Sequence, residues 1–70
     1  MDIKLVLISD IYNLVEIAQK HPSDVRLSQG NYSVDGKSIL GVFALDLRES
    51  IECIVEDGDY DDFEMFVNKL

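Results

Sequence analysis

The chain reads as a small α+β domain: an open-faced sandwich in which three helices cover one face of a four-stranded antiparallel sheet. Three observations predict it. Elements alternate in the order β-α-β-β-α-β-α along 70 residues, without a repeat, linker or low-complexity tract. Gly30-Asn31 lies between two short alternating runs, the signature of a tight hairpin that makes the second and third strands antiparallel neighbours. Each helix carries a single apolar stripe and each strand one clearly apolar face, so stacking all three helices on one side of the sheet leaves the other side wet.

Ile3, Leu5 and Leu7 alternate with Lys4, Val6 and Ile8, a period of two rich in β-branched residues, which predicts a first strand reaching Ile8. Ser9, Asp10 and Asn13 are all candidate N-caps, and Asn13 with Glu16 has capping-box spacing, so the start of the first helix stays open by one turn. Its body is clearer. Ile11, Leu14, Val15 and Ala18 fall at i, i+3, i+4 and i+7, and Pro22 stops the helix, because proline disfavours helical backbone in the residue ahead of it.

Val25 and Leu27 then alternate with Asp24, Arg26 and Ser28 as a half-buried strand, and Tyr32 and Val34 begin its short return, closed by Asp35-Gly36. Ser38 is a natural N-cap for a second helix whose inner face is Ile39, Val42 and Phe43, with Leu47 a further candidate. Gly41 weakens that helix by about 1 kcal/mol relative to alanine, unless something must approach closely there. Ile51, Cys53 and Val55 alternate with Glu52, Ile54 and Glu56 as a fourth strand. Phe63, Phe66, Val67 and Leu70 form the stripe of a third helix behind Asp59 and Asp62 in capping positions.

Composition bounds function. Seventy residues make one domain, 1–70, holding on the order of 3–5 kcal/mol of stability, which leaves little chain for a large catalytic apparatus. Fourteen acids against six bases give a net charge of -8, which repels phosphate backbones and anionic lipid, so neither nucleic acid nor membrane is expected as a partner. The longest apolar runs, Leu5 to Ile8 and Val42 to Leu45, are four residues, far below the roughly 20 a transmembrane helix needs. Asp2 and Lys4 do not open a secretory signal, and a cytoplasmic location is the expectation. Cys53 is alone, which excludes an intrachain disulfide and a multi-cysteine zinc site; it reads as a small buried hydrophobe. The acidic run from Glu56 to Glu64 fails as a calcium loop, since Asp62 stands where glycine is needed and Asn68 where glutamate is. Those acids complement the third helix's dipole instead. No nucleophile elbow, Gly-rich phosphate loop or metal-spaced His pair appears. The expectation is therefore no enzyme, no catalytic residue, no cofactor and no metal.

Together with the element order, Ser23-Asp24-Val25-Arg26-Leu27 before the hairpin and Val34-Asp35-Gly36-Lys37-Ser38-Ile39-Leu40-Gly41-Val42-Phe43-Ala44-Leu45 at the second helix resemble HPr, the histidine-containing phosphocarrier of the bacterial sugar phosphotransferase system. The Lys-Ser-Ile-Leu-Gly core is the most specific piece, and the resemblance covers roughly Ser23 to Leu70. It implies the HPr-like fold. It also implies a Gly-x-His-Ala-Arg-Pro motif between the first strand and first helix, whose histidine accepts a phosphoryl group. This chain departs there, reading Leu7-Ile8-Ser9-Asp10-Ile11, with Leu7 at the histidine's place when counted back from Ser23. A phosphocarrier needs a nitrogen nucleophile, a basic group and the positive end of a helix. Leu7 and Ile8 offer no nucleophile, and Asp10 repels phosphate. His21, the sole histidine, falls about ten residues along the helix, roughly 15 Å from its start, at the pole that suits a C-terminal cap.

Ser38 matches the serine that a dedicated kinase phosphorylates in HPr of many Gram-positive bacteria, creating a form that docks on a catabolite-repression regulator. The same serine caps its helix with or without a kinase. Of Ile39 and Leu40, one should face the core and the other is a candidate docking residue. The leading expectation is an HPr-like protein without phosphocarrier chemistry that binds another protein through Ser38, Ile39, Leu40 and Gly41, switched by Ser38 phosphorylation, with phosphotransferase-system components or a transcription regulator as partner. Two alternatives stay open: an unorthodox phosphocarrier using His21, and a purely structural domain that is monomeric or dimerises weakly through its sheet edges.

Overall fold

The computed structural model describes residues 1–70. Its elements run β1 (Asp2–Ile3), α1 (Ile8–Lys20), β2 (Val25–Gln29), β3 (Tyr32–Asp35), α2 (Ile39–Phe43), β4 (Ile51–Val55) and α3 (Asp61–Asn68). The sheet has the order β1-β4-β2-β3 and every pairing is antiparallel. Fifteen buried apolar residues form one core between the helices and one face of that sheet. β4 lends it Ile51, Cys53 and Val55, β2 lends Val25 and Leu27, and α1 lends the expected stripe of Ile11, Leu14, Val15 and Ala18. On the other face Arg26, Ser33, Glu52 and Ile54 are exposed, as an open-faced sandwich requires.

The hairpin forms as expected. Gln29 pairs with Tyr32, and of the two turn residues only Gly30 has a positive φ, at 56°, a backbone glycine adopts without a Cβ penalty. Gln29 then closes a longer connection: its side-chain oxygen accepts from Asp46 N–H at 2.8 Å and its Nε2 donates to the Asp46 carbonyl at 2.7 Å. This pins the segment after α2 to the end of β2.

Four local expectations need correction. The first strand ends at Ile3 rather than Ile8. β1 pairs only with β4, and Ile3 already faces Ile51, the first residue of that strand, so no partner remains beyond it. Leu5 still turns into the core, but Val6, Leu7 and Ile8 are exposed, and Ile8 opens α1. α3 starts behind Tyr60, not behind a capping aspartate. Asp59 instead accepts from Asp61 N–H at 3.2 Å, and Asp62 lies inside the first turn. Phe43 sits on the rim of α2, because a five-residue helix turns only Val42 fully inward; the core takes Leu45 from the following turn. Leu70 lies past the end of α3 and is exposed.

Candidate functional site

The amino end of α1 is built by Asp10. At the third helical position its carboxylate reaches back to accept from Leu7 N–H at 2.8 Å and Val6 N–H at 3.1 Å. The Leu7 N–H, at the N-cap, is a donor that a helix start otherwise leaves for water or an anion, and the Val6 N–H lies just ahead of it. None of Ser9, Asp10 and Asn13 is the N-cap residue; that place falls to Leu7, in extended backbone, whose side chain points out to solvent. The pole thus offers apolar side chains and an internal carboxylate, with no imidazole.

The histidine lies at the other end. His21 is the C-cap of α1, about 20 Å along a helix of 13 residues, and only 7% exposed. Its backbone N–H donates to the Ala18 carbonyl, and its own carbonyl accepts from Lys37 Nζ at 2.9 Å. The ring packs 5.8 Å from that of Phe63, and Nε2 lies 3.1 Å from Asp57 Oδ1. Asp57 is held below the usual carboxylate range, first by the N–H of Asp59 and then by His21. Cys53, fully enclosed in β4, has its thiol pushed up to about 11 by burial.

At α2 the predicted residues gather in one turn. Ser38 caps the helix: its Oγ accepts from Gly41 N–H at 3.2 Å. Ile39 is half-buried against the core, while Leu40 is 81% exposed. Gly41 faces β3 closely but without a clash, since a Cβ there would lie 3.4 Å from Val34 Cβ, at the near limit of ordinary contact. Sequence reasoning did not foresee how far this apolar surface extends. Phe43 meets Tyr12 of α1 edge-to-face at 5.6 Å, joining the exposed side of α2 to α1 one turn from Leu7 and Ile8. Tyr12 falls off the buried stripe of α1, so its exposure was readable. Its meeting with Phe43 was not.

Fold and site together define a small antiparallel open-faced sandwich whose notable side chains cluster at helix ends. Residues 11–66 match the family model described as the PTS HPr component phosphorylation site, so the chain belongs to the HPr family of the phosphotransferase system. No curated protein and no solved structure is similar enough to count as a match. Membership ties the chain to a family whose proteins act with other phosphotransferase-system components. No helix is long and apolar enough to cross a membrane.

Proposed function

We propose that this protein is an HPr-family module that has given up phosphoryl transfer and works in the cytoplasm by binding another protein. The observation that carries the reading is the occupation of the α1 amino pole. Asp10 takes the amides of Val6 and of the N-cap Leu7, so a carboxylate of the chain itself sits at the positive end of the helix and presents a negative charge to an incoming phosphate. The burial of His21 at the opposite end supports the same reading. A phosphoryl acceptor must be reached in line, and the Nε2 of this ring is directed at Asp57.

Docking is assigned to Ser38, Ile39, Leu40 and Gly41, extended by Phe43 and Tyr12. Support comes from Leu40, whose side chain contributes little to the core, and from the aromatic pair that continues the apolar surface beside it. Phosphorylation of Ser38 would replace the Gly41 cap with a dianionic group at the edge of that surface, which makes it the switch. The partner is a phosphotransferase-system component or a transcription regulator.

Incubation with phosphoenolpyruvate and the upstream transferase tests the first half. Mass spectrometry should find no phosphohistidine; a label that His21→Ala erases overturns the reading. Kinase labelling tests the second half, since Ser38→Ala should abolish it, and persistent label removes Ser38 from the switch.

A further inference from the structure

A second surface lies between α1 and α3, away from the α2 turn. These helices run antiparallel, with His21 at the end of α1 beside Phe63 at the start of α3, and a valley of about 560 Å³ opens between them. Ile17, Met65, Phe66 and Leu70 make its apolar floor. Met65 is 58% exposed and Leu70 45% exposed, two of the large apolar side chains that this small domain leaves outside its core.

We propose that the valley receives a cationic amphipathic helix of a partner protein. Shape is the first reason. Asn13, Ile17 and Lys20 on one wall recur at three- and four-residue steps, as do Asp62, Met65 and Lys69 on the other. Two such ridged walls accept the ridge of a third helix. Methionine suits the floor, because its unbranched side chain adapts to an incoming apolar anchor.

Charge decides which helix. Of the two lysines on the valley walls, Lys20 Nζ is held by Glu16 at 2.9 Å. Lys69 stands at the far end of α3 from its acidic first turn, so the positive charge there does not offset the acids at the other end of the valley. Asp62, on the valley wall, and its neighbours Asp61 and Glu64 crowd the first turn of α3 with no ion-pair partner. The net charge of -8 extends that negative field beyond the valley. A helix with basic residues over the first turn of α3 and apolar anchors above Met65 and Leu70 satisfies both features. A second copy of the chain would bring eight more negative charges to the same place.

The test titrates isotope-labelled protein with a synthetic Leu/Lys peptide, its leucines at i, i+3, i+4 and i+7, and with its Leu/Glu counterpart. Amide shifts should concentrate at Asn13, Ile17, Met65 and Lys69. Met65→Asp and Asp62→Lys should each weaken binding about tenfold, the size expected for an anchor near the centre of a contact. Leu40→Ala should leave it unchanged, which separates this surface from the one at α2. Shifts spread across Asp24, Asp35 and Glu52, with Met65→Asp inert, would reduce the binding to general charge attraction and overturn the proposal. Equal affinity for the Leu/Glu peptide, or sedimentation showing a dimer that Met65→Asp dissolves, overturns it as well.

Discussion

His21 Nε2 lies 3.1 Å from Asp57 Oδ1 and 3.2 Å from Oδ2, across 36 residues of sequence. The contact fastens the last turn of α1 to the turn between β4 and α3. It also gives the sole histidine of an HPr-family chain a structural partner rather than an open approach.

The clasp has a pH signature on its carboxylate side. Asp57 is held below its ordinary 3.8 by the Asp59 N–H and by His21, so the unfolded chain binds its proton at a higher pH than the folded one does. The resulting stability is fully present above about pH 4 and is lost as pH falls through the folded value. Urea midpoints at about pH 6 and pH 3 should therefore differ less in Asp57→Asn than in the parent chain. Equal differences would remove Asp57 from the acid response. His21→Ala should cost about 2 kcal/mol at neutral pH, as expected for emptying a buried ring site.

Two glycines make opposite predictions. A Cβ on Gly36 would lie 2.8 Å from Val25 Cγ1 and 3.1 Å from the Val25 carbonyl oxygen, which itself accepts from Gly36 N–H at 2.8 Å. Gly36→Ala should destabilise by about 1–3 kcal/mol, since β2 cannot retreat without straining the sheet. Gly41→Ala meets only ordinary contacts and should hold or raise stability by up to about 1 kcal/mol. Thermal melts of the two variants check both signs, and a Gly41→Ala loss of stability would reveal a close approach at α2.

Leu40 and Phe63 separate binding from folding. Leu40→Ser removes an exposed side chain and should change stability by less than about 0.5 kcal/mol while abolishing partner capture. Phe63→Ala empties a fully buried site at a cost of about 3–5 kcal/mol, comparable with everything a domain of this length holds. That variant should be largely unfolded by circular dichroism. A Leu40→Ser protein that still binds its partner would move the docking surface elsewhere.

Cys53 should be inert in the native state. Burial raises its thiol from 9.0 to about 11, so the folded chain keeps a proton that the unfolded chain releases earlier. Stability from this group is complete below about pH 9 and declines as pH rises toward 11. Iodoacetamide should label Cys53 at neutral pH only after denaturation, and rapid labelling of the folded protein would show that β4 opens locally.

Most of the fold was legible because its signals are local. The α1 stripe, the Pro22 stop, the Gly30 turn and the Ser38 cap each depend on neighbours within four residues, and each appears where the spacing placed it. The errors fall where a distant partner decides. The apolar run after Ile3 has strand periodicity as far as Ile8, yet β4 begins at Ile51 and offers nothing further to pair with, while Asp10 claims the amides of Val6 and Leu7. At the site, Ser38 as a cap and the division of labour between half-buried Ile39 and exposed Leu40 could be anticipated from helix geometry. The Tyr12–Phe43 contact could not, since it joins two helices.

Amino-acid order alone settled the sequence of elements, the hairpin, the charge and the lack of a histidine near the start of α1, because each follows from residue identity or short-range backbone preference. Packing decided where the first strand stops, which face of α2 stays outside, and that His21 is enclosed by Asp57 and Phe63. Those outcomes depend on side chains brought together from opposite ends of the chain, and their energies come from burial and hydrogen bonding that exist only once the helices have closed over the sheet.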